Sequence, residues 1–155
     1  MTTRATTLVI GLGNPILGDD GVGWCVAQHV QEHLVAPDVE VACLALGGVT
    51  LMERLAGYRR AIIIDAMTTG APIGTVLCVP LEELPNPATG HTASSHDTSL
   101  TTALNLGRKL GAKLPDEVWV VTVEAERLYE FSAGLSPAVA AAVPEAVRRV
   151  KAWLT

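Results

Sequence analysis

The chain has 155 residues, 49% of them hydrophobic and 17% charged, with a formal net charge of -5; its pI is near 5.3 and its mean hydropathy is +0.35. That length supports one domain with a real core, expected over residues 1–155, and is too short for two. The composition excludes disorder, the acidic balance argues against a nucleic-acid partner, and no apolar run is long enough to cross a bilayer.

Taken in order, the N-terminal residues Met-Thr-Thr-Arg-Ala-Thr-Thr show no cleavable signal pattern and lead into an apolar run, Thr7 to Gly11, that reads as a buried strand. A loop with five glycines follows, Gly11 to Gly23, carrying an Asn14-Pro15 step and two adjacent carboxylates, Asp19 and Asp20. Helix one is expected from Gly21 to Leu34, with Val22, Cys25, Val26, Val30 and Leu34 on its buried stripe. Strand two is expected over Val39 to Ala45. After the Gly47-Gly48 turn comes a short helix, Val49 to Leu55, with Leu51, Met52 and Leu55 inward. Ala61 to Ile64 is the most β-branched run and reads as a central strand that Asp65 ends.

Gly74 to Val79 reads as an edge strand, and Pro80 to Thr92 as loop, with three prolines and Gly90. Ser94-Ser95-His96 opens a helix to about Leu110, and Gly111 fits its C-cap. Val118 to Val123 is the last strand. Ser136-Pro137 starts the final helix, with Ser as N-cap and Pro in the first turn, and Pro144 sits inside it. Strands alternating with helices give a three-layer α/β/α domain with a mostly parallel, twisted sheet of about five strands. Cys25, Cys43 and Cys78 contain no C-x-x-C pair. They make neither a disulfide framework nor a zinc site, and suit reduced, buried thiols in a cytoplasmic protein.

In open α/β sheets ligands bind outside the carboxyl ends of the strands. Asp20 lies in the loop after strand one, Asp65 at the carboxyl end of the third strand, and His96 at the start of the helix before the last strand. Right-handed crossovers bring the first two to one edge, and a helix running antiparallel to the strands brings the third. Two carboxylates and one imidazole suit a divalent metal, with nickel and zinc both compatible. Asp19 reads instead as a helix cap, stabilised by the positive end of the helix dipole. His29 and His33 are four apart but lack the acidic partner of H-E-x-x-H, so they read as a solvated helix face; His91, in the Pro/Gly loop, reads as exposed. A pepsin-like dyad of Asp19 and Asp20 fails because adjacent side chains point apart. No G-x-S-x-G elbow is present. A dinucleotide fingerprint is a poorer reading because Ile16 stands where the third glycine belongs, and two carboxylates would repel a phosphate.

The set Gly11-x-Gly13-Asn14-x-x-x-x-Asp19-Asp20-Gly21-x-Gly23, Ile62-Ile-Ile-Asp65-Ala66, Ser95-His96 and Gly134-Leu135-Ser136-Pro137 resembles the maturation endopeptidases of nickel–iron hydrogenases, in order and over nearly the whole chain. The resemblance implies a twisted sheet between helix layers and a protease that removes a C-terminal extension from the large-subunit precursor once nickel is in place. It implies Asp20, Asp65 and His96 as the metal-contacting and catalytic positions, nickel arriving with the substrate, and no organic cofactor. Where many members carry Gly-hydrophobic-Glu/Gln-Pro after the last strand, this chain has Thr122-Val123-Glu124-Ala125. Two other readings compete: a module that binds the metallated subunit without cutting it, and a nucleotide-binding domain.

Overall fold

The computed structural model describes residues 5–34, 36–45, 47–84, 97–126, 131 and 134–155, with backbone only for 97–101. In chain order the elements are β1 (Thr7–Leu12), α1 (Val22–His33), β2 (Val39–Leu44), α2 (Gly48–Leu55), β3 (Arg60–Met67), β4 (Val76–Pro80), α3 (Asp97–Lys109), β5 (Glu117–Glu124) and α4 (Pro137–Leu154). Single 3-10 turns cover Gly18–Gly21, ahead of α1, and Leu81–Glu83.

The five strands form one sheet in the order β2-β1-β3-β5-β4. The first four run parallel, and β4 joins the edge antiparallel to β5. Side chains alternate between the faces of a strand, and both faces here are covered. Val9, Ile62, Ile64, Val121 and Val123 pack with α1 and α4, whereas Leu8, Ile10, Ala61, Ile63 and Val118 pack with α2 and α3. That double burial is why β3 is apolar without alternation. The expected three-layer α/β/α architecture with its mostly parallel sheet is the one observed.

Local differences have physical causes. The central strand does not end at Asp65 but runs through it to Met67, because β5 continues to pair there: Asp65 lies opposite Thr122 and Met67 opposite Glu124. The β1 ladder stops one residue earlier, at Gly11 opposite Ile64. Asp65 is thus a residue inside a strand, just beyond the reach of one neighbour. Helix one is entered through the 3-10 turn, so α1 proper begins at Val22. Gly111, at φ 87°, takes the left-handed position after α3, and Ala112 N–H donates to the Gly107 carbonyl at 2.9 Å. The expected start of this helix, 94–96, lies outside the described residues. No helix among the described residues is long and apolar enough to cross a membrane.

Candidate active site

The loop between β1 and α1 is folded hard against the carboxyl edge of the sheet. Gly13 has φ 143°, and a Cβ there would stand 2.0 Å from the Asp20 carbonyl oxygen, so the loop passes over the 3-10 turn with no room for a side chain. A Cβ on Gly23 would stand 2.4 Å from the carbonyl oxygens of both Ile64 and Leu12, so the first turn of α1 rests on the ends of β1 and β3. Gly13 N–H also donates to the Leu44 carbonyl at the end of β2, at 3.0 Å. Glycine is required at these two places because backbone meets backbone.

This packing carries Asp20 to the edge where Asp65 lies, with the 3-10 turn adjoining β3. Asp20 is 5% exposed and Asp65 fully buried. Asn14 N–H donates to Asp20 Oδ2 at 2.9 Å, and Ala66 N–H donates to Asp65 Oδ1 at 2.8 Å. Backbone donors thus orient both carboxylates. Asp65 shares its strand face with Ala61 and Ile63, the face covered by α2 and α3. His96, the third expected member, lies outside the described residues, as does His91. Among the described residues, no group of three or more His, Cys, Asp or Glu side chains stands together as a metal site.

Asp19 does not cap its own helix: neither the 3-10 turn nor α1 has a side-chain cap bond. Its carboxylate reaches the start of α4 instead. Ser136 N–H donates to Asp19 Oδ1 at 2.7 Å and the Ser136 hydroxyl donates to Oδ2 at 2.8 Å. Ser136 is the N-cap residue of α4, as expected, but its hydroxyl makes no cap bond to that helix and goes to Asp19 instead. Asp19 and Asp20, adjacent in sequence, do point apart.

Glu124, at the end of β5, makes a second contact of this kind. It is 5% exposed, and it accepts Thr69 N–H at 2.7 Å and the Thr69 hydroxyl at 2.6 Å. It holds the turn after β3 to the end of β5. Nothing in the sequence points to either pairing. The one hint was an acid at the end of an apolar strand, the pattern already noticed at Asp65.

His29 and His33 lie on a solvated helix face, as expected. Both are exposed, and each ring sits with Nδ1 2.8 Å from the carbonyl four residues back. Burial pushes all three thiols up. For Cys25 the charge of Glu32 adds to it, and for Cys78 that of Arg149 partly opposes it. A thiol raised in this way stays protonated and is a poor nucleophile.

The family model described as hydrogenase maturation protease matches residues 25–153. The chain belongs to the hydrogenase maturation protease family. It is a hydrolase of peptide bonds. The family match begins inside α1, after the glycine loop, so the likeness of that loop rests on whole-chain relatives. One is the hydrogenase 2 maturation protease of Escherichia coli K12, 32% identical over 150 residues, covering 95% of this chain and 89% of the relative. The hydrogenase expression/formation protein HupD of Rhodobacter capsulatus is 26% identical over 151 residues, covering 94% and 71%. Among solved structures, the hydrogenase maturating endopeptidase HybD of Escherichia coli superposes with a TM-score of 0.82 at 29% identity, covering 96% of this protease and 91% of that chain.

Proposed function

We propose that this protease, a single-domain cytoplasmic enzyme, removes a C-terminal extension from the nickel-loaded large-subunit precursor of a nickel–iron hydrogenase. One observation carries the reading: two carboxylates, Asp20 and Asp65, are buried at one sheet edge of a chain whose family hydrolyses peptide bonds. Burying a carboxylate is costly unless it is paired; backbone N–H groups hold each one here, and an incoming cation adds a further favourable charge. In this reading the nickel is part of the substrate. Asp20 and Asp65 offer it oxygen donors and His96 a nitrogen donor, a set that suits a divalent first-row metal. The N–H groups of Asn14 and Ala66 fix the aim of the two carboxylates before the precursor arrives. With the thiols protonated, the attacking group is water, activated at this edge by a carboxylate base or by polarisation of the scissile carbonyl.

The test is incubation with a large subunit carrying its C-terminal extension, either nickel-loaded or nickel-free, followed by the mass of the products. Loss of a C-terminal peptide from the loaded form alone is expected. Equal cutting of both forms would remove nickel recognition. Tight binding without any cutting would favour a non-proteolytic module.

A further inference from the structure

Asp19 is buried to 5% exposure, and both of its carboxylate oxygens are engaged by one residue 117 positions away. We infer that the Asp19–Ser136 contact is a positioning clamp that sets the aim of Asp20 by bolting the Gly18–Gly21 turn to the start of α4. The inference rests on the reading of Asp20 as a site carboxylate. Asp19 and Asp20 are successive residues of a four-residue 3-10 turn, so fixing one leaves the other little rotational slack. In so tight a turn neighbouring side chains leave in different directions. One carboxylate is therefore available as an anchor while the other faces the site.

The chain of contacts continues on both sides. Asp20 holds Asn14 N–H at 2.9 Å, and Gly13 lies directly over the Asp20 carbonyl. The Ser136 carbonyl accepts Ala140 N–H at 2.8 Å, so the residue gripped by Asp19 is already part of the first turn of α4. Leu135, beside it, packs into the core shared by α1 and α4. The carboxylate also sits at the positive end of the α4 dipole, where its charge is favoured. The glycine loop is thereby tied through the Asp19 carboxylate to α4, the longest helix among the described residues. Asp19 and Ser136 touch no reacting atom in this account; they act through Asp20.

The test uses the full chain with Asp19→Asn, Ser136→Ala, the two combined, and Ser136→Thr. Two readouts are taken: steady-state cleavage of the nickel-loaded precursor, and amide hydrogen exchange. Each single variant is expected to lower kcat about tenfold or more with KM within about twofold, the signature of an interaction felt in the transition state. The combined variant falls no further than the worse single one, because the two groups act as a unit. Ser136→Thr, which keeps the hydroxyl, restores the rate. Exchange at the Asn14 amide is expected to speed up about tenfold, with the amides of Ile63 and Val121 unchanged, because opening is local. Unchanged kcat and unchanged Asn14 exchange in folded variants would overturn the clamp, leaving only a brace for α4. If the unaltered protein does not cleave the precursor, the protease reading fails, and the Asn14 amide still decides the clamp by itself.

Discussion

The two edges of the sheet are built differently. Among the described residues, the buried charged side chains are Asp19, Asp20, Asp65 and Glu124, and all four stand at the carboxyl edge. The amino edge is held by a cation in partial contact with solvent. Arg60 donates from Nε to the Thr7 hydroxyl at 3.1 Å and from its guanidinium to the Leu154 carbonyl at 3.3 Å, and it lies 4.4 Å over the Trp153 ring. Helix α4 spans the difference. Its positive end meets Asp19 and its negative end meets Arg60, each the charge that the helix dipole favours. At the amino edge the contacts are those of a structural tie. At the carboxyl edge the chain bears the cost of four buried acids, two of which are spent on pinning loops and two of which face the candidate chemistry. The lesson is that burial of like charge is concentrated where the glycine loop meets the strand ends.

Substitutions at the two edges should therefore separate activity from stability. The largest effect is expected from Asp20→Asn, Asp65→Asn and His96→Ala. Each should lower precursor cleavage by about a thousandfold or more, the scale on which losing a group central to the chemistry is felt, while circular dichroism stays that of the parent. Full activity in His96→Ala would take the imidazole out of the site.

Asp19→Ala comes next. It strands the Ser136 N–H and hydroxyl, and the loss of hydrogen bonds to a buried charged group should cost about 2–3 kcal/mol in urea unfolding. At the opposite edge, Arg60→Ala should cost about 1–2 kcal/mol through lost hydrogen bonds and ring stacking, with kcat unchanged. A drop in kcat for folded Arg60→Ala would erase the distinction between the edges.

Thiol alkylation at neutral pH should leave cleavage intact. Burial holds the three thiols protonated, and a free cysteine peptide should react faster. Inactivation that tracks modification of one cysteine would move the chemistry to sulfur.

The smallest effect is reserved for an exposed carboxylate on the same helix. Glu145 bonds Arg148 at 2.7 Å and Arg149 at 3.0 Å, and these contacts lower it from 4.5 to about 2. A carboxyl held lower in the folded than in the unfolded chain stabilises above the unfolded value, and that stabilisation is lost as pH falls through the folded one. Any gap in unfolding midpoint between the parent and Glu145→Gln should be small at pH 6, as exposed ion pairs are weak. It should close as the pH falls from 4.5 towards about 2.

Much of the fold was legible because its signals are local. Apolar runs of strand length, helical spacing in Val22, Val26 and Val30, and glycine at 111 each report conformation within a few residues. The edge strand expected over Gly74 to Val79 is β4, which lies at one edge of the sheet. Asp65 was legible as unusual because a carboxylate in an apolar strand demands a reason. Its place inside the strand was not, since strand length is set by how far β5 continues to pair.

By itself, the sequence determined the order of elements, the two-sided burial of the sheet, and the acids, Asp20 and Asp65, that belong at its carboxyl edge. Only the tertiary structure decided what each carboxylate holds. Asp19 meets Ser136 across 117 residues and Glu124 meets Thr69 across 55. Local patterning records which residues can cap a helix or accept a hydrogen bond. It does not record which distant segment arrives to fill that role, because that depends on strand order and on where α4 comes to rest.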